Sequence, residues 1–179
     1  ENKHNIPVER PCIFVANHQG VYDIPPIIWY LRKHHPKFVS KKELGKGIPS
    51  ISFNLRHGGS VLIDRKNRRE SLLKMAKFAK YLKETNRSAV IFPEGTRSRD
   101  GQPKKFAASG MQMLFKQMPH ALVVPITINN CWQLLKDGSF PLTIGVKLRM
   151  KVHKPIEIDS TDPESLVALV ERTIIADIR

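Results

Sequence analysis

The chain has 179 residues, of which 41% are hydrophobic and 26% are charged. This length and composition predict one folded domain over residues 1–179 and exclude an intrinsically disordered chain. Lys and Arg outnumber Asp and Glu by 30 to 16, which leaves a formal net charge of +14 and indicates an anionic partner such as nucleic acid, an anionic bilayer, an acidic carrier protein or a phosphorylated small molecule.

Short apolar runs alternate with amphipathic stretches along the chain, which is typical of an α/β fold. The predicted strands are 12–16, 37–40, 60–63, 89–92, 123–127 and 143–152. The predicted helices are 24–35, 70–83, 109–117 and 164–178, and Asp162 is placed to cap the last of them. The first five strands are short and apolar, as strands covered on both faces are, whereas 143–152 alternates an apolar face with a basic one and is expected at an edge or half-covered position.

The sequence shows neither a membrane-spanning segment nor a pattern of metal-binding or disulfide-forming cysteines. The longest stretch without Asp, Glu, Lys or Arg, 117–135, contains two prolines and does not read as a membrane span. Because the chain begins at Glu1 rather than Met, we expect that an N-terminal segment is missing from it. Cys12 and Cys131 lie far apart in apolar settings, which favours two buried thiols over a disulfide or a metal site.

The first polar cluster, NHQGVYD at 17–23, follows the first predicted strand directly. His18 and Asp23 are five residues apart, so they do not share a helix face and can meet only across a turn, which Gly20 permits. A carboxylate bonded to one imidazole nitrogen fixes the tautomer and prepares the other nitrogen to act as a general base. The alternative is that Asp23 caps the following helix, which begins with two prolines, and that His18 is only a polar residue at a strand end.

Two further polar clusters also follow apolar strands. FPEGTRS at 92–98 offers exposed backbone amides in a Gly-Thr turn, a hydroxyl and the fork of donors of Arg97, all of which suit a phosphate, although a surface turn is the alternative. GSVLIDR at 59–65 delivers Asp64 and Arg65 to the end of its strand. Ligands in open α/β sheets gather outside the carboxyl ends of the strands, so we expect the three clusters to share one edge.

These blocks, together with KKEL at 41–44 and VVPI at 123–126, resemble in order and spacing the motif blocks of the glycerolipid acyltransferases, and in particular the bacterial 1-acylglycerol-3-phosphate O-acyltransferases (lysophosphatidate acyltransferases). The resemblance runs from about residue 11 to residue 126. Family members often carry N-terminal hydrophobic helices, so the resemblance implies that the N-terminal segment missing from this chain is hydrophobic. The lysine that many members carry after the Glu-Gly-Thr-Arg block is absent, with Lys104 and Lys105 just before that place.

The resemblance implies a glycerol-3-phosphate-acyltransferase-like α/β fold, with a central mixed, mostly parallel sheet flanked by helices, and an acyl transfer from a thioester to the sn-2 hydroxyl of 1-acylglycerol-3-phosphate. The donor would be acyl-CoA or an acyl-carrier protein, with no cofactor and no metal. In this reading His18 and Asp23 are catalytic. The implied substrate-binding residues are Asn17, Lys41, Arg65, Glu94, Gly95, Thr96 and Arg97.

Other functions stay open on the sequence alone. A glycerol-3-phosphate or other lysophospholipid acyltransferase shares most of these blocks. A basic nucleic-acid-binding module would explain the charge, but aromatic residues are only 7% and no nucleic-acid motif is present. A peripheral membrane protein that binds lipid without catalysis is a third possibility. The charge itself suits an anionic membrane surface, and we expect the protein at the cytoplasmic face of the membrane, either peripheral or anchored through a segment absent here.

Overall fold

The computed structural model describes residues 1–47, 49–138, 140–158 and 162–179. Strands and helices alternate along most of the chain. The strands are β1 Cys12–Ala16, β2 Lys37–Lys41, β3 Val61–Ile63, β4 Ala89–Ile91, β5 Leu122–Asn129, β6 Arg149–Val152 and β7 Ile156–Glu157. The helices are α1 Ile24–Tyr30, α2 Pro49–His57, α3 Arg68–Glu84, α4 Ala108–Gln117 and α5 Pro163–Ile175.

The seven strands form one sheet in the order β3-β2-β4-β1-β5-β6, and β7 also pairs with β5. The first five strands are parallel, and β6 and β7 pair with β5 in the antiparallel direction. This confirms the predicted α/β class with a mixed, mostly parallel sheet. The carboxyl ends of β1 to β5 therefore lie along one edge.

Two hydrophobic clusters cover the two faces of the sheet, and β1 shows how one strand contributes to both. Ile13 and Val15 belong to the cluster that includes residues of α3, α4 and α5, whereas Phe14 belongs to the cluster that includes Ile27 of α1. All four side chains are fully buried. Since each buried side chain of this size contributes about 1.5–3 kcal/mol, this central strand is firmly fixed in the sheet.

Several predicted boundaries hold. Strand β1 has the predicted limits, and Asp162 caps α5 by accepting a hydrogen bond from the amide of Ser165 at 3.0 Å, as expected. The predicted helix 24–35 is wrong in length, because α1 ends at Tyr30 and a separate 3-10 turn follows. His35 adopts a left-handed conformation (φ 45°) and Pro36 comes next, so a regular helix cannot continue to residue 35.

The other corrections concern α2 and the predicted strand 143–152. Helix α2 was not predicted. Ile51 and Phe53 are exposed in this helix and Ser52 is buried, so its sequence does not have the apolar face that indicates an amphipathic helix. Only Arg149–Val152 of the predicted strand pairs, with the last four residues of β5, and Ile144 is 97% exposed. The edge position predicted for this strand is confirmed. Within the described ranges, no helix is both long and apolar enough to span a bilayer.

Candidate active site

The His18 and Asp23 side chains meet in the turn that follows β1. Nδ1 of His18 lies 2.8 Å from Oδ2 of Asp23. The same oxygen accepts hydrogen bonds from the backbone amides of Gln19 at 2.7 Å and Gly20 at 2.9 Å, and Asp23 is fully buried. The turn thus folds around the carboxylate. The five-residue spacing is closed by a turn rather than a helix face, which is the geometry that the sequence predicted.

The carboxylate determines which nitrogen of His18 is available to a substrate. An ionised carboxylate can only accept, so Nδ1 carries the proton and Nε2 presents a lone pair. No other described residue forms a hydrogen bond to Nε2, and the side chain remains 19% exposed. The imidazole also stacks on the ring of Phe92, with 4.3 Å between the ring centroids. A histidine oriented in this way can act as a general base.

The alternative in which Asp23 serves as a helix cap is wrong. Asp23 does precede α1 directly, but its side chain accepts no hydrogen bond from the amides of the helix. The carboxylate instead turns back toward the preceding loop. Pro25 and Pro26 in the first turn of α1 have no N–H to offer, which leaves the carboxylate available for the turn and for His18.

Glu94 holds the backbone on both sides of the site. Its Oε1 accepts from the amide of His18 at 2.8 Å and its Oε2 accepts from the amide of Lys104 at 3.1 Å. Burial raises the pKa of Glu94 above its usual value, and these two amides oppose that rise. The amide of Ser98 donates to the carbonyl of His18 at 2.8 Å, so both sides of this peptide are held. Both carboxylate oxygens of Glu94 thus accept hydrogen bonds from backbone amides, and the substrate contact implied for Glu94 stays a prediction.

Asn17 has a similar supporting arrangement. It is 1% exposed, its Nδ2 donates to the carbonyl of Ile128 at 2.8 Å, and its Oδ1 accepts from the amide of Ile128 at 2.7 Å. The side chain therefore joins the residue before His18 to β5 by two hydrogen bonds. A direct substrate contact by Asn17 likewise stays a prediction.

The remaining predicted residues lie along the same sheet edge, as expected from the parallel topology. Lys41 is the last residue of β2 and is half-buried, and Arg65 lies two residues beyond β3. The loop after β4 brings Gly95 against Arg65: a Cβ on Gly95, whose φ is +73°, would stand 2.7 Å from the Nη1 of that guanidinium. Thr96 is exposed and Arg97 is half-buried in the same loop. The structure thus places these basic residues along the sheet edge that also carries the His18 turn.

Residues of the segment after β5 also approach the His18 turn, a contact that no motif in the sequence predicted. Cys131 is fully buried, and its amide donates to Oε1 of Gln19 at 3.0 Å. Burial raises the pKa of the Cys131 thiol, and the neighbouring Asp23 carboxylate raises it further. Trp132 follows directly. Both residues come just after an apolar strand, which is the same signal that indicated the other three clusters.

The described part of the chain contains no group of three His, Cys, Asp or Glu side chains placed to hold a metal ion.

The family model described as Acyltransferase matches residues 1–129. This chain belongs to the acyltransferase family. The predicted family resemblance is thereby confirmed.

Two curated relatives of this acyltransferase are both named 1-acyl-sn-glycerol-3-phosphate acyltransferase. It is 29% identical over 163 residues to the chloroplastic 1-acyl-sn-glycerol-3-phosphate acyltransferase LPAT1 of Arabidopsis thaliana, covering 90% of this chain and 44% of that one. It is 36% identical over 128 residues to the 1-acyl-sn-glycerol-3-phosphate acyltransferase of Helicobacter pylori, covering 66% of this chain and 51% of that one. The chain thus spans about half the length of these curated relatives.

A solved structure agrees with the sequence relatives. The acyltransferase superimposes on the crystal structure of the 1-acyl-sn-glycerophosphate (LPA) acyltransferase PlsC from Thermotoga maritima with a TM-score of 0.81 and 30% sequence identity. The match covers 99% of this chain and 69% of that one. The fold implied by the resemblance is therefore confirmed over essentially all of the chain.

Proposed function

We propose that the protein transfers a fatty acyl group from an acyl thioester to the sn-2 hydroxyl of 1-acylglycerol-3-phosphate, which gives phosphatidate and a free thiol. The observation that supports this most is the contact of 2.8 Å between Nδ1 of His18 and Oδ2 of Asp23, with Nε2 left open beside a basic sheet edge. The similarity to named 1-acyl-sn-glycerol-3-phosphate acyltransferases supports the choice of acceptor.

In this proposal His18 performs both proton transfers. Nε2 takes the proton of the acceptor hydroxyl as its oxygen forms a bond to the thioester carbonyl carbon. The buried carboxylate of Asp23 stabilises the imidazolium that results. The tetrahedral intermediate then collapses, the carbon–sulfur bond breaks, and the thiolate takes the proton back from Nε2. No covalent bond to the protein forms, and no cofactor takes part.

The basic residues of the edge have electrostatic roles in the same proposal. Arg65 and the loop of Gly95, Thr96 and Arg97 bind the acceptor phosphate, for which guanidinium forks and turn amides are suited. Lys41 lies at the same edge and stabilises either the developing oxyanion or a phosphate. We assign Glu94 to positioning, because both of its oxygens are already used by backbone amides.

Product analysis tests the proposal. The protein is incubated with acyl-CoA and lysophosphatidate, and phosphatidate is measured by mass spectrometry together with the released thiol. We expect equal molar amounts of both products and little thiol without acceptor. Thiol release that does not depend on an acceptor would contradict acyl transfer. If kcat/KM is higher with glycerol-3-phosphate or with another lysophospholipid, that compound is the preferred acceptor instead of lysophosphatidate. Acyl-carrier protein is tested as the alternative donor.

The net charge of +14 also supports work at an anionic membrane surface, since each well-placed basic residue contributes about 1 kcal/mol to such binding. We expect the protein to sediment with vesicles that contain anionic lipid, and to be released as salt is raised. Sedimentation that is independent of both lipid charge and salt would contradict this part of the proposal.

A further inference from the structure

A cavity of about 470 Å³ lies between the His18 turn and the segment that follows β5. This volume is within the ~300–1,000 Å³ typical of small-molecule sites. The side chains that matter for its chemistry are Tyr22, Arg97, Arg99, Trp132 and Leu135. Of these, only Arg97 has a role in the function proposed above, so the rest of the cavity is unassigned.

The place of the cavity in the sheet separates it from the other basic residues. Strand β1 lies between β4 and β5. Lys41 ends β2 and Arg65 follows β3, both on the β4 side of His18, whereas Trp132 follows β5 on the opposite side. The loop after β4 passes His18 and reaches the indole of Trp132, and in this way it carries Arg99 to the β5 side. The reaction joins two substrates at Nε2 of His18, and each of them carries phosphate. Two anion-binding regions on either side of one base therefore match two phosphorylated substrates.

The lining combines positive charge with aromatic and apolar surface. Arg97 and Arg99 form no ion pair with any residue that the structure describes, and since Arg97 is assigned to the acceptor phosphate, the guanidinium of Arg99 remains available to a second anion. Trp132 and Leu135 supply the apolar part. Gly101, with φ +79°, packs directly against the indole of Trp132, and a side chain at this position would displace the ring. The indole is thus held against the loop that bears Arg99.

Resting on the function proposed above, we infer that this cavity binds the phosphopantetheine arm of the acyl donor. Arg99 pairs with the phosphate of the arm. Trp132 and Leu135 contact its dimethyl and methylene groups, and the thioester end lies toward His18, one residue before Gln19 in the lining. Coenzyme A and acyl-carrier protein share this arm, so one site serves either donor.

The two tryptophans of the chain allow a binding test that needs no turnover. Trp29 is 63% exposed on α1, outside the site, so Trp29→Phe leaves Trp132 as the sole tryptophan. We expect CoA and 4′-phosphopantetheine to change the Trp132 fluorescence saturably, and 3′,5′-ADP to leave it unchanged. Adding Arg99→Gln should weaken the binding of both probes about tenfold, the effect of one lost charge-assisted contact. Arg172→Gln, an exposed arginine on α5, is the matched control and should leave the affinity unchanged.

Kinetics in the otherwise wild-type protein then identify which substrate uses the cavity. Arg99→Gln should raise the KM for acyl-CoA about tenfold, raise the KM for acyl-carrier protein similarly if that donor is used, and leave the KM for lysophosphatidate unchanged. A raised KM for lysophosphatidate instead would assign the cavity to the acceptor and overturn the inference.

Two fluorescence results would also overturn it: a change with 3′,5′-ADP equal to that with CoA, or no change with any probe. Because the fluorescence assay does not require acyl transfer, it separates the two proposals. Saturable CoA binding without product formation would refute only the proposed function, whereas product formation without a response of Trp132 would refute only the inference.

Discussion

Replacing Asp23 with Asn removes the charge of the orienting group while keeping its shape. Oδ2 of Asp23 accepts three hydrogen bonds, from Nδ1 of His18 at 2.8 Å and from two backbone amides at 2.7 and 2.9 Å. The Asn carbonyl oxygen can take this position, because the opposite orientation would place its NH₂ group against two N–H donors. The turn is therefore preserved, and the charge-assisted contact with the imidazolium is lost.

The size of the effect follows from that contact. Hydrogen bonds to charged groups contribute about 1.5–3 kcal/mol, and about 1.4 kcal/mol corresponds to tenfold in rate. We therefore expect Asp23→Asn to lower kcat roughly 10- to 150-fold, with the KM for either substrate little changed. Asp23→Ala is less informative, since it also leaves two buried amides without an acceptor and costs stability.

The assay follows thiol release with a thiol-reactive chromogenic reagent. Cys12 and Cys131 are fully buried, so the folded protein should contribute little background. Circular dichroism and the thermal midpoint serve as controls for folding. If folded Asp23→Asn retains activity within about threefold of the wild type, Asp23 only supports the turn, and the reasoning about the base is refuted.

Three further predictions concern the surroundings of the site and one distant histidine. Glu94→Gln presents an NH₂ group to one of the two amides that the carboxylate now accepts, and should lower both kcat and the thermal midpoint, measured by kinetics and thermal unfolding. Gly95→Ala combines about 1–2 kcal/mol of left-handed strain with displacement of the Arg65 guanidinium, and should raise the KM for lysophosphatidate several-fold; an unchanged KM would contradict the phosphate role. Burial lowers the pKa of His153, so protonation favours the unfolded chain, and stability present above about pH 6.5 is lost as the pH falls. Urea unfolding at about pH 7.5 and 5.5 should show a smaller loss for His153→Gln than for the wild type, and an equal loss would contradict this sign.

Much of the site could be predicted because its residues follow apolar strands. The run 12–16 is continuous and β-branched, which indicated a strand buried on both faces, and the structure confirms its limits. Given parallel strands, the polar residues after each one had to share an edge. The contact between His18 and Asp23 followed from their spacing and from a glycine between them, and it is present at 2.8 Å.

The order of the strands could not be predicted, and the missed contacts depend on it. The stacking of Phe92 on His18 requires β4 to lie beside β1, and the approach of Cys131 to Asp23 requires β5 on the other side. No local pattern encodes these neighbours. Helix α2 could not be predicted for a different reason: it exposes large apolar side chains and buries Ser52, so its sequence lacks the apolar stripe that indicates a helix packed on a core.

The proposed role of His18 as the base is tested most directly by His18→Ala in the product assay. The matched control is His120→Ala, because His120 is exposed just before β5 begins, at the opposite end of the strands. We predict that His18→Ala lowers phosphatidate formation about 10²- to 10⁴-fold, the usual contribution of general-base catalysis, while His120→Ala retains wild-type activity. Folded His18→Ala that forms phosphatidate at the wild-type rate would contradict the account.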